Sequence, residues 1–78
     1  MAEWTPDEVL DATGLSCPMP VLKTKKALKK LDSGKILEVR STDPGTKNDL
    51  PAFLERSGDE LLGIEEKEGY TSFYIKKK

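Results

Sequence analysis

Histidine is absent from this 78-residue chain, and no other gap in the composition removes as much chemistry. No Cys–His or Ser–His nucleophile pair can be assembled, and one cysteine without imidazole cannot complete a zinc site of the usual nitrogen and sulfur ligands. No metal site is therefore predicted. The single cysteine also forbids an intramolecular disulfide, which argues against a stapled secreted scaffold and for a reducing compartment. No stretch approaches the ~20 apolar residues of a membrane span. The opening MAEWTPDEVL has no basic region followed by an apolar run, so no export signal is predicted and the expected location is the cytoplasm, with no membrane contact. Aromatic residues make up 6% of the chain and acidic residues outnumber basic ones by 14 to 13, leaving few stacking platforms and no net positive field. Direct nucleic-acid binding is not expected. DPGTK lacks the glycine spacing of a phosphate loop, so no nucleotide cofactor is expected either.

What remains is a small, densely charged chain. With 36% hydrophobic and 35% charged residues, it is long enough for one modest core, and residues 1–78 read as a single domain. DEVLDAT alternates as a strand, Leu10 and Ala12 on one face and Val9 and Asp11 on the other, before Gly14 breaks it. PMPVLKTKKALKKLDS predicts a helix from Pro18 to about Asp32, with proline in its first turn and Gly34 beyond its end. KILEVRST reads as a second strand that points Leu37, Val39 and Ser41 one way and Ile36, Glu38 and Arg40 the other. A shorter helix follows, with Pro51 in its first turn, Leu50, Phe53, Leu54 and Ser57 on one face, and Gly58 closing it. Leu61 to Glu66 and Tyr70 to Lys76 form a hairpin around Glu68 and Gly69.

The order β-α-β-α-β-β predicts an α/β (α+β) two-layer sandwich: a four-stranded mixed sheet with two helices on one face, because crossover connections share one hand. The opposite face, carrying Tyr70, Ser72 and Tyr74, is expected to meet water or a partner. Trp4 is expected to pack against the sheet edge, and Lys76 to Lys78 to form a frayed, solubilising end.

Turning ~100° per residue along the first helix gathers Val21, Thr24, Leu28 and Leu31 on a core stripe with Pro20 and Ala27 at its margin. Lys23, Lys25, Lys26, Lys29 and Lys30 lie opposite, with Met19 and Leu22 among them. These lysines are either a plain solvated helix face or, with the two apolar residues, a docking surface for an acidic partner. Met19 and Leu22 are either covered by the loop before the helix or by the second helix, or exposed as part of that surface.

Cys17 stands at the start of that helix. With Pro18 as the first helical residue, Cys17 takes the N-cap, where Met19 and Val21 supply N–H donors and the helix end carries positive partial charge. Both effects favour a thiolate, and a thiol's ordinary pKa of about 8.5 falls at helix N-termini. Pro18 and Pro20 each restrain the residue before them, so the sulfur is expected on a stiff corner. The competing reading is a small buried hydrophobe of no reactivity.

D-A-T-G-L-S-C-P-M-P before one helix and D-P-G-T-K-N-D-L-P before a second resemble the TusA-like (SirA-like) family of sulfur-carrier proteins, from Asp11 to the end of the chain. The resemblance implies a persulfide relay. Cys17 would accept sulfane sulfur from a cysteine desulfurase or rhodanese-type donor and pass it to a downstream acceptor protein. Transfer-RNA thiolation, cofactor biosynthesis and other sulfur metabolism are all served by such proteins. It further implies that Gly14, Pro18 and Pro20 shape the motif, and that Asp43 and Lys25 belong to a partner-facing region, beside Met19, Leu22, Lys23 and Lys26. The motif's middle position, often acidic in relatives, is Met19 here. A sulfurtransferase of this kind acts with partner enzymes instead of turning over alone. The alternatives are a thiol-dependent regulator, or a nucleic-acid or partner-binding module without sulfur transfer.

Overall fold

The strand expected around KILEVRST is Ile36–Ser41, and its alternation works as read: Leu37, Val39 and Ser41 are buried on the helix side. The computed structural model describes residues 4–16 and 18–78. In chain order its elements are β1 Glu8–Ala12, α1 Met19–Lys30, β2 Ile36–Ser41, α2 Thr46–Ser57, β3 Glu60–Lys67 and β4 Tyr70–Lys76. The sheet runs β1-β2-β4-β3. β1 is parallel to β2, and β4 is antiparallel to both of its neighbours. α1 therefore links adjacent parallel strands, whereas α2 carries the chain one strand further and leaves a gap that β4 fills.

Both helices pack on one face of this mixed sheet. Leu28 of α1 and Leu50 and Leu54 of α2 form one cluster with Ala12, Leu37, Val39, Phe73 and Ile75. Each fully buried Leu or Phe among them contributes roughly 1.5–3 kcal/mol. Thr24 is buried in the same stripe because its hydroxyl donates to the Pro20 carbonyl at 2.7 Å, so no polar atom is stranded. α1 ends at Lys30, earlier than expected, because Leu31 turns to extended geometry while its N–H donates to Leu28 O at 3.2 Å.

α2 departs further from the sequence reading. It begins at Thr46, so Pro51 lies inside the helix and not in its first turn. Tight bonds explain the early start. Thr46, Lys47 and Asn48 donate to Asp43, Pro44 and Gly45, each three residues back, so the helix is under way before it reaches the proline.

The sheet face away from the helices is not open as expected. Ser72 and Tyr74 are buried, and so is Glu38, which is 6% exposed. Self-pairing dries this face: Ser72 Oγ donates to Glu38 Oε2 at 3.0 Å, Arg40 Nε donates to the same oxygen at 2.8 Å, and the Arg40 guanidinium lies over Tyr70 at 5.4 Å. Glu38 holds Arg40 firmly protonated, first through that hydrogen bond and then by direct charge attraction. Trp4 covers the rest, its ring 5.3 Å from that of Tyr74. The indole lies so close to Gly63 that no side chain fits there. Strand β3 bulges at this point, between Leu61 and Gly63, and Trp4 packs across it as expected.

The C-terminal lysines are not frayed. Lys76 closes β4, Lys77 exchanges backbone hydrogen bonds with Gly34 and Lys35, and Lys78 N–H donates to Asp59 Oδ1 at 2.9 Å. Among the described residues no helix is long and apolar enough to cross a membrane.

Candidate functional site

Parallel strands β1 and β2 end side by side, and each feeds a loop that leads to the N-terminus of a helix. The first loop is pinned by hydrogen bonds from Asp11 to Leu15. Asp11 Oδ1 accepts the Thr13 hydroxyl at 2.6 Å and the Thr13 N–H at 3.0 Å. Those two bonds, the hydroxyl foremost, hold the Asp11 carboxyl below its ordinary range. Gly14 follows with φ +81°, a left-handed conformation that other residues reach only with strain. Its N–H donates to Thr42 Oγ1 at 2.8 Å, tying the first loop to the second. Leu15 N–H then donates to Ala12 O, and Leu15 packs against the core.

Cys17 itself lies outside the described residues, and the cap expected of it is filled by its neighbour. Pro18 is the N-cap of α1, its carbonyl accepting Leu22 N–H at 3.1 Å. Proline has no polar side chain, so the cap makes no side-chain hydrogen bond. The helix therefore starts one residue later than the sequence suggested. Of the two N–H donors expected for the sulfur, Met19 N–H is spent on Ser16 O at 2.9 Å. No acidic residue occupies the first turn, so the positive end of α1 is not offset by its own side chains. Pro20 is buried and anchors the turn against the core side.

The second loop carries a hydroxyl network that the sequence reading missed. Ser41 and Thr46, both 1% exposed, share a hydroxyl–hydroxyl bond of 3.0 Å. Asp43 N–H donates to Ser41 Oγ at 3.2 Å, and Thr46 N–H to Asp43 O at 3.1 Å. This network places the half-buried Asp43 beside the start of α2, which satisfies its reading as a turn residue. The signal was present in S-T-D-P-G-T, where three hydroxyls flank an Asp-Pro turn.

Met19 and Leu22 are 42% and 47% exposed, so neither loop nor helix covers them. The lysines around them do not form one surface. Lys23, Lys26 and Lys30 line a groove of about 350 Å³ on the β1 side of α1. Lys25 and Lys29 face a second groove, shared with Phe53 of α2 and with Lys77 and Lys78. The structure thus ties Gly14 to the second loop through Thr42, sets Met19 and Leu22 in the helix that Pro18 caps, and divides the lysines between two flanks.

Related proteins agree with this architecture. The family model described as "Sulfurtransferase TusA" matches residues 8–77. The chain belongs to the TusA family. It is 51% identical over 71 residues to YrkI of Bacillus subtilis, spanning 91% of this chain and 95% of that one. It is 45% identical to the sulfur carrier protein TusA of Pseudomonas putida (strain GB-1), over 100% of this chain and 98% of the relative. The corresponding TusA of Allochromatium vinosum is 46% identical over 91% and 93%. Among solved structures, the SirA-like protein from Desulfitobacterium hafniense superposes with a TM-score of 0.79 at 30% identity, covering 88% of this chain and 95% of that one. The TusA-family fold is therefore the one described above, with both helices on one face of a mixed sheet.

Proposed function

We propose that this chain is a sulfur carrier of the TusA type, and that Cys17 holds the sulfur as a persulfide. The observation that carries the proposal is near full-length similarity to proteins named sulfur carrier protein TusA, at 45% and 46% identity. The Cys17 thiolate attacks the outer sulfur of a persulfide on a cysteine desulfurase or rhodanese-type donor. The donor's S–S bond breaks, a new one forms on Cys17, and the donor leaves as a thiolate, so no outside oxidant is consumed. Unloading repeats the exchange with an acceptor protein's thiolate as nucleophile. A lone cysteine in the reducing cytoplasm suits this traffic, since no second thiol of the chain is present to resolve the persulfide into a disulfide.

The surrounding residues divide the labour. Gly14, Pro18 and Pro20 set the path of the loop that carries Cys17, and the unopposed positive end of α1 favours anionic sulfur. Exposed Met19 and Leu22 give a partner something apolar to grip beside the sulfur. Lys23, Lys25, Lys26 and Asp43 supply charges that select and orient it. Donor and acceptor bring their own catalytic groups, so the chain alone turns over little. Incubation with a cysteine desulfurase and radiolabelled cysteine should label the wild type and leave Cys17→Ser unlabelled. Equal labelling of both overturns the assignment.

A further inference from the structure

The groove between α1 and β1 lies away from the paired loops, and its chemistry is unlike theirs. Leu10 and Leu31 form an apolar floor, Lys23, Lys26 and Lys30 form the rim, and Glu8 is the one carboxylate among its lining residues. β1 is an edge strand. Ile36 O accepts the Asp7 N–H at 2.8 Å and Ile36 donates its own N–H to the Asp7 carboxylate, while Lys35 O accepts Lys77 N–H on the β4 side. Ile36 and Glu38 therefore face β1. In the register Glu8↔Leu37 the main-chain groups of Glu8 and Leu10 bond inward, while those of Val9 and Asp11 point outward, away from β2.

The two edges of the sheet are treated differently. Edge strand β3 bulges, lies beneath Trp4, and carries the ion pairs Lys47–Glu66 and Lys67–Glu65. Such features blunt an edge against strand addition. β1 has none of them: it pairs in unbroken register with β2 from Glu8 to Ala12, and Val9 is 49% exposed on its outer face.

We propose that this groove receives an extended acidic segment of a partner protein, which adds as a fifth strand alongside β1. Such a strand directs alternate side chains to opposite faces. Those on the helix side lie over Leu10 and Leu31 with their tips among the lysines, which calls for glutamates. Those between them lie beside Val9, which calls for apolar residues. The spacing agrees. Lys23 to Lys30 covers about 10 Å of helix at roughly 1.5 Å per residue, against about 13 Å for three alternate positions of a strand. A second copy of this chain is not the occupant, because joining two β1 edges sets lysine rim against lysine rim.

The probe is a short acetylated peptide of alternating glutamate and valine, added to the full chain and followed by amide chemical shifts. Shifts are expected at Val9 and Asp11 and along the α1 rim, with slowed exchange of those two outward amides. Methylating the glutamate amides in one version and the valine amides in another blocks opposite edges of the peptide, so one version binds and the other does not. Lys26→Glu with Lys30→Glu should weaken binding about tenfold, the scale of two exposed ion pairs reversed. Equal binding of both methylated versions, equal binding of a lysine–valine peptide, shifts confined to Lys77 and Lys78, or a dimer in sedimentation each overturns the proposal. Because Cys17→Ser should bind the peptide unchanged, failure here and failure of the sulfur relay are separate results.

Discussion

Replacing Gly63 with alanine puts a methyl carbon 2.8 Å from Cζ3 of Trp4 and closer still to Cη2. A rigid indole cannot yield by a few tenths of an ångström, so the ring must leave Tyr74 and Gly63 together. The loss has two parts. Half-burial of a tryptophan covers on the order of 100 Å², about 2.5 kcal/mol at 25 cal/mol per Å². The tilted Trp4–Tyr74 contact adds about 1 kcal/mol. Against this, alanine in a strand gains about 0.5–1 kcal/mol over glycine. The net prediction is a loss of roughly 2–3 kcal/mol in urea unfolding, with a red shift of fluorescence from the chain's single tryptophan. In a Trp4→Ala background the same Gly63→Ala change should stabilise, by about 0.5–1 kcal/mol. If Gly63→Ala is stabilising with Trp4 present and leaves the fluorescence unmoved, the described cover of the far face is wrong.

Three further outcomes follow from individual contacts. Thr42→Val removes the acceptor for Gly14 N–H and should cost about 1 kcal/mol while changing the rate at which Cys17 is alkylated; Thr42→Ser keeps the acceptor and should keep the wild-type rate. Pro51→Ala restores an N–H inside α2 and should raise stability by about 1 kcal/mol, read from the urea midpoint. Burial, followed by the nearby Glu38 and Glu65 carboxylates, pushes the Tyr74 phenol above its ordinary 10.0. The folded state thus holds that proton more tightly than the unfolded one, so the stability linked to Tyr74 is complete below pH 10.0 and is lost as pH climbs through the raised value. Tyr74→Phe should flatten that alkaline fall, and a fall of equal steepness in both proteins contradicts the burial argument.

The helix-side core was legible because it obeys simple periods: Leu37 and Val39 two apart in β2, Thr24 and Leu28 four apart in α1. Each position depends on its own element, and alternation or helical spacing reports it directly. The far face was misread because its polar residues find partners within it, Ser72 and Arg40 on Glu38 and Tyr74 on Glu65, and because their cover, Trp4, arrives from the other end of the chain. Nothing in a local pattern links Trp4 to Gly63. Pro51 was placed too early since proline favours first turns, whereas here tight bonds through Asp43, Pro44 and Gly45 start the helix upstream. At the site, the motif and its prolines could be read from spacing. Helical spacing set Met19 and Leu22 among the lysines but left open whether the preceding loop or α2 covers them, and only the structure shows them exposed. The Gly14–Thr42 tie could not be read from spacing, because it joins residues 28 positions apart that only the parallel β1–β2 pairing brings together.

The central claim is that Cys17 carries sulfur. Its most direct measurement is the intact mass of the protein after exposure to a persulfide donor, repeated after a thiol-bearing acceptor protein is added. The account predicts a gain of one sulfur atom, located on Cys17 by peptide fragmentation, that passes to the acceptor on mixing. A thiol that takes up no sulfur under conditions that load the donor, or a loaded sulfur that no acceptor protein can remove, would contradict it.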